Sequence, residues 1–141
     1  MNLSSETFNV LKNFSNISPS LVVKTGNTLR TISPMKNIYA KYNGGETFDR
    51  DFALYDLNEF LSGVSLFKDP DFLFDESHVK IKSGRSSVKY FYSDASVITA
   101  PPEKDIALPS EDVTFQLSDV DLNSLLKASS VYQLADLSLI S

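Results

Sequence analysis

Residues 48–65 read Phe48-Asp49-Arg50-Asp51-Phe52-Ala53-Leu54-Tyr55-Asp56-Leu57-Asn58-Glu59-Phe60-Leu61-Ser62-Gly63-Val64-Ser65, and their hydrophobic period changes halfway. Up to Tyr55 the stretch reads as a strand, with Phe48, Phe52 and Leu54 sharing a face. From Asp56 the period is helical: Leu57, Phe60, Leu61 and Val64 are spaced three, one and three apart. Asp56 is suited to cap this helix, and Glu59 three residues on completes a capping-box signal. Asn58, Glu59, Ser62 and Ser65 form its outward face. Asp69-Pro70-Asp71 then breaks the chain.

The same strand-to-helix unit recurs on both sides. Residues 5–17 predict a helix capped by Ser4 or Ser5, with Glu6 at its positive end. Phe8, Leu11, Phe14 and Ile17, with Val10 beside them, make its apolar face; Asn9, Lys12, Asn13 and Asn16 face away. Strands are expected at Leu21–Lys24, Thr28–Ile32 and Ile38–Tyr42, with turns at Gly26-Asn27 and Asn43-Gly44-Gly45. Further strands are expected at Phe72–Phe74, Val79–Lys82 and Ser87–Tyr92, the last two joined by Ser83-Gly84-Arg85-Ser86. Residues 97–109 hold three of the six prolines and read as an extended connector. Beyond it, Val113–Leu117 alternates as a strand. Ser118 or Asp119 caps a third helix to about Tyr132, with Leu122, Leu125 and Leu126 inward. Leu134–Ile140 begins another strand.

Each helix carries a paired apolar step: Val10-Leu11, Phe60-Leu61 and Leu125-Leu126. Such a repeat predicts an α+β fold with helices on one face of antiparallel sheets. Two units would form a first domain over 1–96, joined by the connector 97–109 to the start of a second domain over 110–141, which looks incomplete. That leaves a sheet edge and an apolar helix face open to association.

Composition narrows the function. With 42% hydrophobic and 22% charged residues, including 10 Phe and 6 Tyr, a wholly disordered chain is excluded. No apolar run reaches the roughly 20 residues of a membrane span, and no secretory signal is evident at the start. There are no cysteines, so thiolate metal sites, disulfides and cysteine nucleophiles are absent. The single histidine, His78, reads as a surface residue rather than a ligand or catalyst. No Gly-rich phosphate loop is present, and the acids around Asp69–Glu76 lack calcium-loop spacing. No cofactor and no enzymatic activity are expected.

The net charge of −5 is uneven. Residues 1–50 carry six Lys/Arg and three Asp/Glu, whereas residues 51–141 carry seven and fifteen. The total argues against a general nucleic-acid coat but permits one local DNA-tolerant surface. Lys12 and Lys127 follow the paired apolar step in the first and third helices; Ser62 occupies that place in the second. Lysines on polar helix faces would meet phosphates without reading bases, and Asn9, Asn13, Asn16 and Ser130 could add neutral hydrogen bonds. Solvated helix faces look the same. The run Lys80–Tyr92 interleaves bases with aromatics and reads either as a two-faced hairpin or as a single-strand stacking surface. A β-rich viral structural or interaction module without DNA contact remains the competing reading.

Leu11-Lys12-Asn13-Phe14, Ala53-Leu54-Tyr55-Asp56-Leu57-Asn58 leading into Phe60-Leu61, and Leu125-Leu126-Lys127 after the proline-rich connector resemble the DNA polymerase sliding clamp of T-even-type bacteriophages. The resemblance implies the clamp fold and a homotrimeric ring, each subunit with two similar domains, helices lining a hole for duplex DNA and sheets outside. It implies a non-enzymatic processivity factor in the cytoplasm of an infected bacterium. Its partners would be duplex DNA, the DNA polymerase, an ATP-driven clamp loader and late-transcription proteins. By that analogy Lys12 and Lys127 face the duplex, and Ser62 departs from a basic residue.

Overall fold

The structure is a computed structural model describing residues 1–140, and its first element is the helix α1, Ser5–Ile17. Ser4 is the cap: its hydroxyl accepts from the Thr7 amide at 3.1 Å. Leu11 and Phe14 are buried, one turn apart on one side, and the Ser18 amide closes the helix onto the Phe14 carbonyl. Pro19 follows, and its carbonyl accepts from the Leu57 amide at 2.8 Å. That bond ties the end of α1 to the start of the second helix, α2 (Leu57–Ser65), and the two helices pack against each other.

Three small antiparallel sheets complete this unit. Strand β1 (Leu21–Val23) pairs with β4 (Phe52–Leu54), and β2 (Gly26–Ile32) pairs with β3 (Tyr39–Phe48). The third sheet has the order β5-β6-β7, from Asp71–Phe74, His78–Ser83 and Ser86–Phe91. One core joins α1 and α2 to all three sheets: Leu11, Leu21, Leu29, Leu54, Leu57, Phe60, Phe72, Val79 and Ile81 belong to it. Stacked or edge-on rings of Phe48, Phe52, Phe74 and Tyr92, with centroids 5.0 to 5.8 Å apart, extend it.

Two expected turns are not turns. Asn43-Gly44-Gly45 runs inside β3: Thr28 pairs with Asn43 and Gly26 with Phe48, and residues 44–47 pass through the irregularity between these two pairings. The glycine is used for proximity: a Cβ on Gly44 would sit 3.0 Å from the Tyr42 ring and 3.6 Å from the Thr7 hydroxyl. The reversal between β2 and β3 falls at residues 33–38, where the Ser33 hydroxyl accepts from the Asn37 and Ile38 amides and Lys36 adopts φ 59°. Gly26 opens β2 at φ +118°, and β1 and β2 pair with different strands rather than with each other. Gly84, at φ +58°, turns β6 into β7 as its sequence suggests.

The chain divides into two units, Met1–Lys104 and Asp105–Ser141. Ile98, after a single 3-10 turn at Ala95–Val97, is buried in the first, and Glu103 reaches Lys24 at 3.8 Å. In the second unit α3 (Asp119–Tyr132) forms where expected, with Ser118 accepting from the Asp121 amide at 3.1 Å. The strands expected at Val113–Leu117 and Leu134–Ile140 are not formed, and Leu122, Leu125 and Leu126 are 43, 37 and 58% exposed rather than inward. Alternation marks a face but does not supply a ladder partner, and among the described residues none pairs with these segments.

Candidate nucleic-acid interface

Burying Leu11 and Phe14 leaves the opposite side of α1 in solvent. Asn9, Lys12, Asn13 and Asn16 are all exposed there, so the structure brings these four expected residues onto one helix face. The Lys12 ammonium lies 4.9 Å from the centroid of the half-buried Phe8 ring, which steadies the long side chain while its charge stays solvated.

The pitch of that face is set from β3. Glu46 accepts from the Ser4 amide and, at 2.5 Å, from the Thr7 hydroxyl. A carboxylate at a helix N-terminus is favoured by the exposed amides and the helix dipole. Burial pushes the Glu46 carboxyl up, but the bonds from Thr7 and Ser4 outweigh it and hold the group below its usual 4.5. The same helix and strand border an open groove of about 430 Å³ lined by Asn9, Asn13, Lys41 and Tyr42. Lys41 is exposed and faces Arg30 across the ladder. The sequence reading missed it, although its alternation along a strand was visible.

α2 offers a neutral to acidic face. Asn58, Glu59, Ser62 and Ser65 are exposed. Asp56 accepts from the Glu59 amide at 2.9 Å, but the Glu59 carboxylate faces the Tyr90 hydroxyl at 3.3 Å, so the reciprocal half of the capping box is absent. Burial, then Glu59, pushes the Tyr90 phenol up. Lys127 and Ser130 are exposed on α3 in the second unit.

The Lys80–Tyr92 run is a β-hairpin. Tyr90 meets Phe60 edge-on at 5.4 Å and Tyr92 stacks on Phe52 at 5.0 Å, so Phe91 is the ring left exposed. Burial raises the Tyr92 phenol to about 12. His78 is more enclosed than expected, with its ring 5.5 Å from Phe91 and Nε2 4.0 Å from Asp75. Among the described residues no cluster of His, Asp and Glu could hold a metal ion, and no helix is long and apolar enough to cross a membrane.

The α1 face can touch an anionic polymer through its asparagine side chains and the Lys12 ammonium. The family model described as DNA polymerase processivity factor matches residues 4–100. The sliding clamp of Vibrio phage KVP40 is 33% identical across 97% of this chain and 63% of its own length. Those of Escherichia phage RB69 and Enterobacteria phage T4 are 35 and 33% identical, each match covering 92% of this chain and 57% of the relative. The chain therefore spans about three fifths of the length of the relatives it matches.

Proposed function

The chain belongs to the DNA polymerase processivity factor family, and from that premise we propose that it serves a sliding clamp that encircles duplex DNA and tethers the replicative polymerase. The role is mechanical, with no reaction of its own. The observation that carries the DNA-facing part is the α1 surface, where three asparagines and Lys12 are exposed together over a rigid core.

The weakness of that surface fits the task. Each neutralised phosphate contributes a salt slope near −0.9, so one contact loses only about threefold in affinity between 50 and 200 mM salt. A few such contacts cannot hold DNA for long, and a closed ring does not need them to. Enclosure supplies residence, sequence-blind contacts centre the duplex, and the acidic remainder of the surface repels phosphates. Lys127 and Ser130 on α3 would continue the inner wall from a second domain.

The finer reading follows the family. Residues 1–96 form a first clamp domain, 97–109 the connector and 110 onward the start of a second. Three subunits close the ring in the cytoplasm of the infected bacterium, a clamp loader opens it, and late-transcription proteins share it with the polymerase.

Primer extension with the cognate polymerase and loader tests the proposal. Lys12→Glu combined with Lys127→Glu shortens the extended products several-fold at moderate salt, while both changes, being exposed, alter stability by no more than about 0.5 kcal/mol. Product lengths equal to those of the native chain would remove the DNA-facing role.

A further inference from the structure

The outward face of the third sheet carries an unusual register. Lys80 on β6 stands directly opposite Lys89 on β7, with Leu73 of β5 on its other side. One step along, His78 stands opposite Phe91; one step the other way lies Lys82. Val79 and Ile81 are buried, so alternation puts His78, Lys80 and Lys82 on the far face. Leu73 and Phe91 on that face are 62 and 66% exposed.

Like charges directly opposite in an antiparallel pair oppose folding. Of the neighbouring acids, Asp71 stands opposite Lys82 across β5 and β6 but binds the Met1 ammonium at 2.7 Å, and Asp75 faces His78, so neither is paired with Lys80 or Lys89. Among the described residues no carboxylate lies within 4.0 Å of the Lys80, Lys82 or Lys89 ammonium. Lysines that only protect an edge strand need neither face each other nor be bracketed by bare apolar side chains. The patch is also of the wrong sign for its surroundings, since residues 51–141 hold fifteen acids against seven bases.

We propose that this face docks an acidic peptide segment of another protein, its carboxylates seated between Lys80 and Lys89 and its apolar side chains on Leu73 and Phe91. Charge complementarity supplies orientation, and the two apolar residues supply the buried area. Single-stranded nucleic acid fits less well. It wants successive rings to stack on, and Tyr90 and Tyr92 are turned onto Phe60 and Phe52.

Fluorescence anisotropy of the full chain with a short labelled peptide alternating glutamate and leucine tests this, with labelled oligothymidylate and a lysine–leucine peptide in parallel. The glutamate–leucine peptide binds saturably and more weakly as salt rises. Lys89→Glu weakens that binding by roughly tenfold and melts no lower than the native chain, because Lys80 then faces a carboxylate. Leu73→Ser weakens it as well without lowering the melting temperature. The proposal is overturned by absence of saturable peptide binding, by binding indifferent to Lys89→Glu, or by a lower melting point for that variant, which would give the lysine a folding role. Tighter binding of oligothymidylate, lost in Lys89→Glu, would overturn it in favour of nucleic acid.

Discussion

At the scale of single residues, local signals and distant ones behave differently. Ser4, Asp56 and Ser118 are caps because each has a polar oxygen just before an apolar period, and all three accept from the third amide of their helix. Glu46 is a second anchor for α1, yet it lies 42 residues from Ser4 and no local pattern announces it. Its carboxyl is held below 4.5 in the folded protein. A depressed carboxylate stabilises the fold above its unfolded pKa and stops doing so as pH falls through the folded value. Glu46→Gln therefore costs about 1 kcal/mol or less near neutral pH, measured by urea unfolding, and the difference from the native chain disappears in acid. A difference that persisted in acid would mean the bonds, not the charge, carry the effect. Asp51 follows the same sign: the Thr25 amide first, then Lys24 and the Thr25 hydroxyl, hold it at about 2.

At the scale of elements, periodicity located the helices well and the sheet partners poorly. α1 and α3 occupy the segments their apolar spacing and caps indicate. The Asn43-Gly44-Gly45 run has turn chemistry but stays within β3, held on either side by the pairings Thr28–Asn43 and Gly26–Phe48; pairing is non-local and overrides propensity. Val113–Leu117 shows the converse, alternation without a neighbour to bond. α3 itself has 14 residues and buries none of them. Helices of about 12–15 residues without tertiary support are marginal in water. Amide hydrogen exchange in α3 is accordingly expected to run orders of magnitude faster than at Leu11, Phe14 or Leu57–Leu61. Equal protection would mean that α3 is covered in solution.

At the scale of the molecule, stability is concentrated in the Met1–Lys104 unit, where helices and sheets share one core. Leu57 is fully enclosed at the junction of β4, α2 and the α1 end. Leu57→Ala opens a cavity there and costs about 2–5 kcal/mol, visible as a lower urea midpoint with an unchanged slope. A loss below about 1 kcal/mol would mean that the site collapses freely. The α+β class and the outward α1 face were legible because both follow from which side of a helix is apolar. Lys41 was not, because its nearness to Asn9 and Asn13 depends on how β3 passes beneath α1. The register that sets Lys80 against Lys89, by contrast, follows from the Gly84 turn, whose place the sequence does show.

The path of β3 bears on how the protein ages. An asparagine followed by glycine in a loose bend loses ammonia readily, because the next backbone nitrogen can close a five-membered imide on the side-chain carbonyl. Asn43 is instead held opposite Thr28 in the ladder between β2 and β3, and the Thr28 hydroxyl donates to the Asn43 side-chain oxygen at 3.0 Å. Ring closure would have to break that bond and bend the strand. The fold thereby shelters its most labile dipeptide from spontaneous deamidation for as long as β2 and β3 stay zipped.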